Sequence, residues 1–464
     1  MKKIIFGSLL LLLSACDGQL DIIPKGKTTL DNVADLELLL NQEYALQTPA
    51  ADDLGLVCNE SLGGMMVSLS EMLSVNNTLN YAYLAYDEKV DRVTLAKNDT
   101  RYENAYRYIN YMNIIIEKIG KASGDESRKP ALIAEARILR AYFHWLLVNI
   151  YAAQYDEATA TEQGGIAYVD NSDVAEQKTK LTLEDTYLHI LDDCSDEVIA
   201  QLPVRDGDDV FRADQAFGNA VRAKVLMQMK RYGDALPYAL EALRLNGKIE
   251  DRSAIKEASA WELKSSVANN YVYMRGTSRA APFMETLSLE TGAMFEEGDY
   301  VINYTTNWNE SFGEMFIGLP GCKLFFGMTT SINEYGINSD RMYYTAAECC
   351  IRTGEIRKGL ELVDRVRAYR VENYQSFAEL YDQNSLTEKE AMALMQKAKW
   401  IECISTYENF FDCKRWNTEE HYRRTITRNL GEYGSYSLSP DSPLWIFPFP
   451  ANATRYNSSL TQNY

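Results

Sequence analysis

Residues 213–246, ADQAFGNAVRAKVLMQMKRYGDALPYALEALRLN, constrain the fold more than any other stretch of this 464-residue chain. In the second half, Tyr232, Ala235, Leu236, Ala239, Leu240 and Leu243 recur at steps of three and four, which stacks them on one helix face. In the first half, Ala216, Ala220, Ala223 and Met227 make a stripe of mostly small residues, and small residues let two helix axes approach closely. The Arg231-Tyr232-Gly233 turn between the halves is too short for anything but an antiparallel hairpin.

Such a hairpin cannot bury its apolar face alone, so it predicts neighbours of the same kind. The run from Tyr232 to Leu243 is close to the second helix of a tetratricopeptide repeat. Tyr343 to Gly354, followed by Ile356, Leu360, Val363 and Val366, again reads as helix, glycine turn and helix. Further helices are predicted from Thr29 to Tyr44, from about Arg101 to Ile119 and from Pro130 to Ala153. The last of these is apolar on more than one face, as a helix buried among others is. Its Arg137 and Arg140 must then meet acids from neighbouring helices, and His144 reads as a satisfied core histidine. One helix is expected over roughly Leu183 to Leu202, starting at Thr182 or Leu183 and stopped by Pro203. The capping box Thr387-Glu-Lys-Glu390 starts another, running towards Trp416. Residues 49–64 read as loop, and the three prolines between Asp441 and Pro450 forbid a helix there. Between residues 248 and 335 helical periodicity is lost, while Tyr271-Val-Tyr-Met and Asp299 to Trp308 alternate like strands. The fold class is therefore mainly α: tetratricopeptide-like hairpins at about 130–246 and 340–416 form a scaffold. A long irregular insertion at about 248–335 carries loops and short strands, of the kind that is usually functional.

At the start of the chain, Lys2 and Lys3 precede an apolar run from Ile4 to Leu13 and then Leu13-Ser14-Ala15-Cys16. This is a secretory signal rather than a membrane span, since a stable span needs roughly twenty apolar residues. Leu-Ser-Ala-Cys resembles a bacterial lipobox, which makes residues 1–15 a signal peptide and Cys16 the lipidation site. Several acyl chains on one residue anchor stably where one would not. Residues 16–28 then form a tether. The formal charge of −19 argues against nucleic acid and anionic membrane surfaces as partners. The remaining cysteines, Cys58, Cys194, Cys322, Cys349, Cys350, Cys403 and Cys413, are odd in number and irregularly spaced. They read as buried small hydrophobes and not as a disulfide framework or a metal site. Asp206, Asp208 and Asp209 lack the spacing of a dedicated calcium loop.

Several motifs, in order, resemble the SusD/RagB family of surface nutrient-binding lipoproteins. They are the lipobox with Leu20-Asp-Ile-Ile-Pro behind it, Ala134-Glu-Ala-Arg through Arg140-Ala-Tyr-Phe, and Gly164-Gly165. They continue with Tyr344-Thr-Ala-Ala-Glu348, Gly354, Val363-Asp-Arg-Val-Arg367, Lys414-Arg415-Trp416, Phe447-Pro-Phe-Pro450, Asn457 and Leu460-Thr-Gln-Asn463. The sequence departs at Glu402-Cys-Ile-Ser-Thr-Tyr, where the family carries Glu-Arg-Arg-x-Glu, so a reduced charge network is expected there. The chain also looks shorter than many members. The resemblance implies one SusD-like domain over residues 29–464, anchored by lipid to the outer membrane and facing the cell exterior. It implies a SusC-like TonB-dependent transporter as partner, capped by this chain as a lid. The ligand is an oligosaccharide, or a peptide as in the RagB branch.

Sugar capture without catalysis needs aromatic faces for pyranose rings, with amides and carboxylates for the hydroxyls. Two stretches supply that mixture: Asn80, Tyr81, Tyr83 and Tyr86, and then Tyr300, Asn303, Tyr304, Asn307 and Trp308. They are expected to form one exposed platform on the face opposite the transporter, with Trp308 the strongest single candidate because Asn307 and Asn309 flank it. The chain has no Gly-x-Ser-x-Gly, no His-Glu-x-x-His and no phosphate loop, and only three histidines. No enzyme and no cofactor are implied. A protein-interaction scaffold, using the concave face of helical repeats, is the competing reading.

Overall fold

The computed structural model describes residues 30–46, 53–64, 68–204, 209–254, 269–276, 282–302, 314–315, 317–328 and 332–464. Asn32 caps α1 (Val33–Glu37) by accepting from the Asp35 amide at 2.9 Å. The chain then turns into β1 (Tyr44–Ala45) instead of remaining helical to Tyr44. Packing decides this, because the Tyr44 ring meets those of Tyr108 and Phe143 edge-on at 5.1 and 5.5 Å. Residues 49–64 were expected to be loop, yet α2 (Asp53–Cys58) and β2 (Ser61–Gly64) lie there. Leu54, Leu56, Val57 and Leu62 are buried, and that apolar content outweighs the glycines. Next come α3 (Leu69–Ser74), α4 (Leu79–Leu84), α5 (Arg92–Leu95) and α6 (Thr100–Lys118).

The helix α7 (Lys129–Tyr151) packs along α6 and is buried almost all round, as its sequence requires. Arg140 donates to both Asp193 oxygens at 2.6 and 2.8 Å, and Arg137 meets Asp193 and Asp192. His144 is wholly buried, its Nδ1 2.9 Å from the Arg140 carbonyl, while its Nε2 accepts from the Val169 amide at 3.1 Å. Those partners fix the proton on Nδ1. Burial and the Arg140 charge push the imidazole down to about 3, so it is a neutral core histidine.

Antiparallel β3 (Gly164–Ala167) and β4 (Lys180–Thr182) lead into α8 (Leu183–Asp193) and α9 (Asp196–Gln201). Here one helix was predicted and two are seen. Arg222 donates to the carbonyls of Leu191 and Cys194 at 3.2 and 2.9 Å, capping α8 from outside, and Ser195 starts the second helix. The central hairpin is α10 (Gln215–Gln228) against α11 (Tyr232–Leu245), turning at Lys230 in the left-handed region (φ 61°). Ala216, Ala220, Ala223, Ala235, Ala239 and Ala242 are buried, which is the close approach that their size permits.

The insertion contributes β5 (Asn270–Val272), β6 (Met274–Arg275), β7 (Pro282–Leu287), α12 (Leu289–Gly292), β8 (Leu324–Met328) and β9 (Ile337–Asn338). The strands pair as β2-β7-β8, β5-β9 and β1-β6, so they are sewn to the N-terminal part of the chain and to the next hairpin. Tyr271 to Met274 is extended as expected. Asp299 makes a single bridge to Val371, after which residues 300–302 turn helical instead of continuing as a strand.

Helices resume with α13 (Ser339–Arg352) and α14 (Ile356–Arg367), joined through Gly354 at φ +88°. Then follow α15 (Phe377–Asn384), α16 (Glu388–Glu402) with its capping box, and α17 (Glu408–Asn417). The single helix expected from Thr387 towards Trp416 is interrupted at 403–407. There Ser405 is left-handed (φ 63°) and its amide donates to Glu60 at 2.7 Å, drawing the backbone out of the helix. The hairpin β10 (Ile426–Asn429) and β11 (Ser435–Leu438), an extended run and α18 (Ala451–Thr454) complete the chain.

The charge network expected to be thin around Glu402 is extensive. Arg415 donates to Glu348 through Nη1 and Nη2 at 2.7 and 2.9 Å, to Asp412 at 2.8 Å and to the Tyr232 hydroxyl at 2.9 Å. Lys224 meets Glu408 at 2.6 Å, Lys399 meets Asp412 at 2.5 Å, and Arg370 joins Glu402 to Asp340 at 2.7 Å each. These groups are buried and connect α10 and α11 with α13, α16 and α17. Of these ion pairs Lys224–Glu408 joins the first block of hairpins to the second, and the others tie helices of the second block together.

Candidate functional site

Thr78 caps α4, its Oγ1 accepting from the Tyr81 amide at 3.0 Å. That cap makes the Asn- and Tyr-rich stretch a helix, and its period then sorts the candidates. Asn80 is exposed, Tyr81 is half-buried, and Tyr83 points inward at 2 % exposure. The expectation of exposure fails for Tyr83, whose ring lies 5.1 Å from Phe447. It fails for Tyr86 too, where the hydroxyl donates to the Val57 carbonyl at 3.1 Å and Arg428 covers the ring at 4.2 Å.

Beside α4 opens a cleft of about 400 Å³, lined by Asn77, Asn80, Tyr83, Asn98, Asp53, Asp99 and Phe447 among others. Asn77, Asn80 and Asn98 are exposed, and no hydrogen bond in the described residues engages their amides. At the floor, Arg101 is buried and donates to Asp53 at 2.9 and 3.3 Å and to Asp99 at 3.3 Å. Burial pushes the Asp53 carboxyl up while Arg101 draws it back. The Tyr151 hydroxyl donates to Asp99 at 2.5 Å, and the Asp99 carboxylate also caps α6 by accepting from the Arg101 and Tyr102 amides. Both carboxylates are thus committed to structure. The rim presents unengaged side-chain amides, a surface suited to hydroxyl groups, while Tyr83 and Phe447 lie buried behind it.

Of the second predicted stretch, Tyr300 is half-buried, and its amide donates to the Arg370 carbonyl at 2.9 Å. It hangs on the end of α14, whereas α4 packs on α2, α3 and α5. Asn303, Tyr304, Asn307 and Trp308 lie outside the described residues, as do Cys16, Asp206 and Asp208. Asp209 accepts from the Phe211 amide at 3.1 Å, as a turn residue does. Cys58, Cys194, Cys322, Cys349, Cys350, Cys403 and Cys413 are all buried thiols. Among the described residues no group of three or more His, Cys, Asp or Glu could hold a metal, and no helix is long and apolar enough to cross a membrane.

Sequence reasoning missed Asp53, Asn98, Asp99 and Phe447 as cleft residues. Asn98-Asp99-Thr100 before a helical run is a capping signal, so Asp99 could have been placed at a helix start, but not beside Asn80. Asp53 and Phe447 are brought in by tertiary packing alone.

The architecture defines a class first: a helical-hairpin protein whose candidate cleft lies on segments outside the hairpins. Residues 20–217 match the SusD-like family model described as "Starch-binding associating with outer membrane", and residues 267–464 match the model of the SusD family. The chain belongs to the SusD/RagB family. A SusD superfamily protein from Bacteroides thetaiotaomicron superposes with a TM-score of 0.66 at 14% identity, over 93% of this chain and 100% of the other. A SusD-like carbohydrate binding protein from Bacteroides vulgatus gives 0.62 at 14% identity, over 92% and 97%. A SusD superfamily protein from Bacteroides fragilis gives 0.63 at 16% identity, over 94% and 100%. At such identities these likenesses bear on the fold. No curated protein matches the chain by sequence.

Proposed function

We propose that this chain captures oligosaccharide at the cleft beside α4 and delivers it to a SusC-like TonB-dependent transporter, over which it acts as a lid. Lipid on Cys16 holds it to the outer membrane, facing the exterior. The observation that carries the binding role is the trio of unengaged side-chain amides, Asn77, Asn80 and Asn98, on the rim of that cleft. Sugar hydroxyls need such donors and acceptors. The family's description as starch-binding and associated with the outer membrane supports ligand class and location. A non-catalytic role is supported by the floor of the cleft. Hydrolysis of a glycosidic bond takes two carboxylates facing each other across the sugar. Here Asp53 and Asp99 instead share Arg101. Trp308, Tyr304, Asn303, Asn307 and Tyr300 remain part of the proposed ligand surface, with Tyr81 at the edge of α4.

The test is calorimetry of the full chain, in a detergent without a sugar headgroup, against glycans and peptides. Asn80→Ala with Asn98→Ala and, separately, Trp308→Ala are compared with the parent. Glycan binding weakened tenfold or more by the asparagine pair, about 1.4 kcal/mol, is the expected result. Glycan binding untouched by the pair rejects the cleft, and binding of peptides alone replaces the ligand class.

A further inference from the structure

A second cleft, of about 640 Å³, opens beside α6 and the C-terminal turn. Its volume falls within the roughly 300–1,000 Å³ of ligand pockets. Three parts of the chain build its walls: α6 through Tyr106 and Asn110, the β3–β4 connection through Val174 and Gln177, and the C-terminal turn through Tyr456 and Asn457. Val174 and Tyr456 are 88 % and 72 % exposed, which is unusual for neighbouring side chains of that size lining one depression.

The walls are set without a ligand. Tyr106 donates to the Ala167 carbonyl at 2.8 Å, Asn457 to the Lys178 carbonyl at 2.6 Å, and Gln177 to the Tyr456 carbonyl. The side-chain amide of Asn110, half-buried in the wall, takes part in no hydrogen bond within the described residues. Like the α4 cleft it has an unengaged side-chain amide and a polar rim, and it adds an open tyrosine ring, Tyr456. The two clefts also share a boundary. The amides of Ala451 and Asn452 donate to the carbonyls of Ala96 and Lys97 at 2.8 and 3.1 Å. Ala96 lines the first cleft and Asn452 the second.

We infer that this groove is a second glycan subsite, and that one longer oligosaccharide lies across both clefts. The inference rests on the α4 cleft being a glycan site. A chain held at one cleft presents its remaining units to the next at high effective concentration, so affinity should climb with chain length without any change in the first site. Tyr456 would stack on a ring, and Asn110 would bond its hydroxyls.

The experiment measures affinity of the full chain for short and long members of three series: maltose and maltoheptaose, cellobiose and cellohexaose, mannobiose and mannohexaose. The expected result, in the series that binds, is at least tenfold tighter binding of the long member. Tyr456→Ala combined with Asn110→Ala removes that gain and leaves the short member unchanged, with the melting temperature confirming an intact fold. A length gain that survives the double substitution overturns the groove while sparing the first cleft. No length gain overturns it as well. If no glycan of any series binds, the capture reading and the groove fall together.

Discussion

The ion pair Glu348–Arg415 sits where the two hairpin blocks meet, with both side chains wholly buried. Consider Glu348→Gln, which preserves shape and changes only charge and one acceptor. Glu348 Oε1 accepts from Arg415 at 2.7 Å and from Trp416 Nε1 at 2.9 Å, while Oε2 accepts from Arg415 at 2.9 Å. A glutamine oriented to keep the first two bonds turns its amide nitrogen towards an arginine donor. Arg415 then retains only Asp412 as its anion. Removing one partner of a buried pair typically destabilises by about 3–5 kcal/mol. Unfolding entropy of about 2.1 cal/mol/K per residue gives about 1 kcal/mol/K for a chain of this size. The melting temperature should therefore fall by about 3–5 °C, read by scanning calorimetry. The double variant Glu348→Leu, Arg415→Met, which removes both charges, should melt above either single substitution, since no buried charge is left alone. A fall of less than about 1 °C for Glu348→Gln, or a double variant that loses the sum of both singles, would refute the claim that the pair fastens α13 to α17.

Gly165 should not tolerate alanine: an added Cβ would lie 2.2 Å from Thr186 Oγ1 and 2.7 Å from the Thr182 carbonyl. Gly165→Ala is expected to lose about 1–3 kcal/mol in a denaturant titration, whereas Gly120→Ala, with nothing within 4 Å, should not. Asp299 is pushed up to about 6 by burial, against a usual 3.8. The folded chain therefore keeps a proton there that the unfolded chain has released, so the contribution of Asp299 to stability is present below about pH 4 and is lost as pH rises through about 6. Asp299→Asn keeps an acceptor for the Val301 and Ile302 amides. It should melt higher than the parent at pH 7.5, by up to about 3 kcal/mol, and match it at pH 4. A pH-independent difference would exclude titration of Asp299 as its origin.

The residues that made the family legible are ones whose chemical type the fold itself demands. Glu348, Arg415 and Trp416 form one buried hydrogen-bonded unit. Asp364, inside Val363-Asp-Arg-Val-Arg367, accepts from the amides of Phe377 and Ala378 at 3.0 Å each and so holds the start of α15. Asn463 donates to the carbonyls of Tyr151 and Gly165 at 2.8 and 2.9 Å, closing the end of α7, where the backbone has no helical partner. Gly164 and Gly165 are small because Asn463, Lys180 and the Thr182–Thr186 turn crowd against them. Each of these roles allows few substitutes, so the motif survives in one sequence. Hairpins with a clear 3.6 period were legible for the same reason. The broken helices at 194–195 and 403–407 were not, because the groups that break them, Arg222 and Glu60, come from far along the chain.

The cleft shows the opposite economy. Its rim is marked by exposed amides, and an exposed asparagine looks the same in any turn. What makes Asn80 and Asn98 neighbours is the floor beneath them. Arg101 joins Asp53 to Asp99, and Tyr335, 3.3 Å from Arg101, is held in turn by Tyr142, which donates to its carbonyl at 2.5 Å. Tyr142 belongs to α7, a scaffold helix buried along most of its length. The rim is therefore seated on the core through a short series of hydrogen bonds whose members lie far apart in the chain, so the sequence around Asn80 and Asn98 carries no local sign that the two meet.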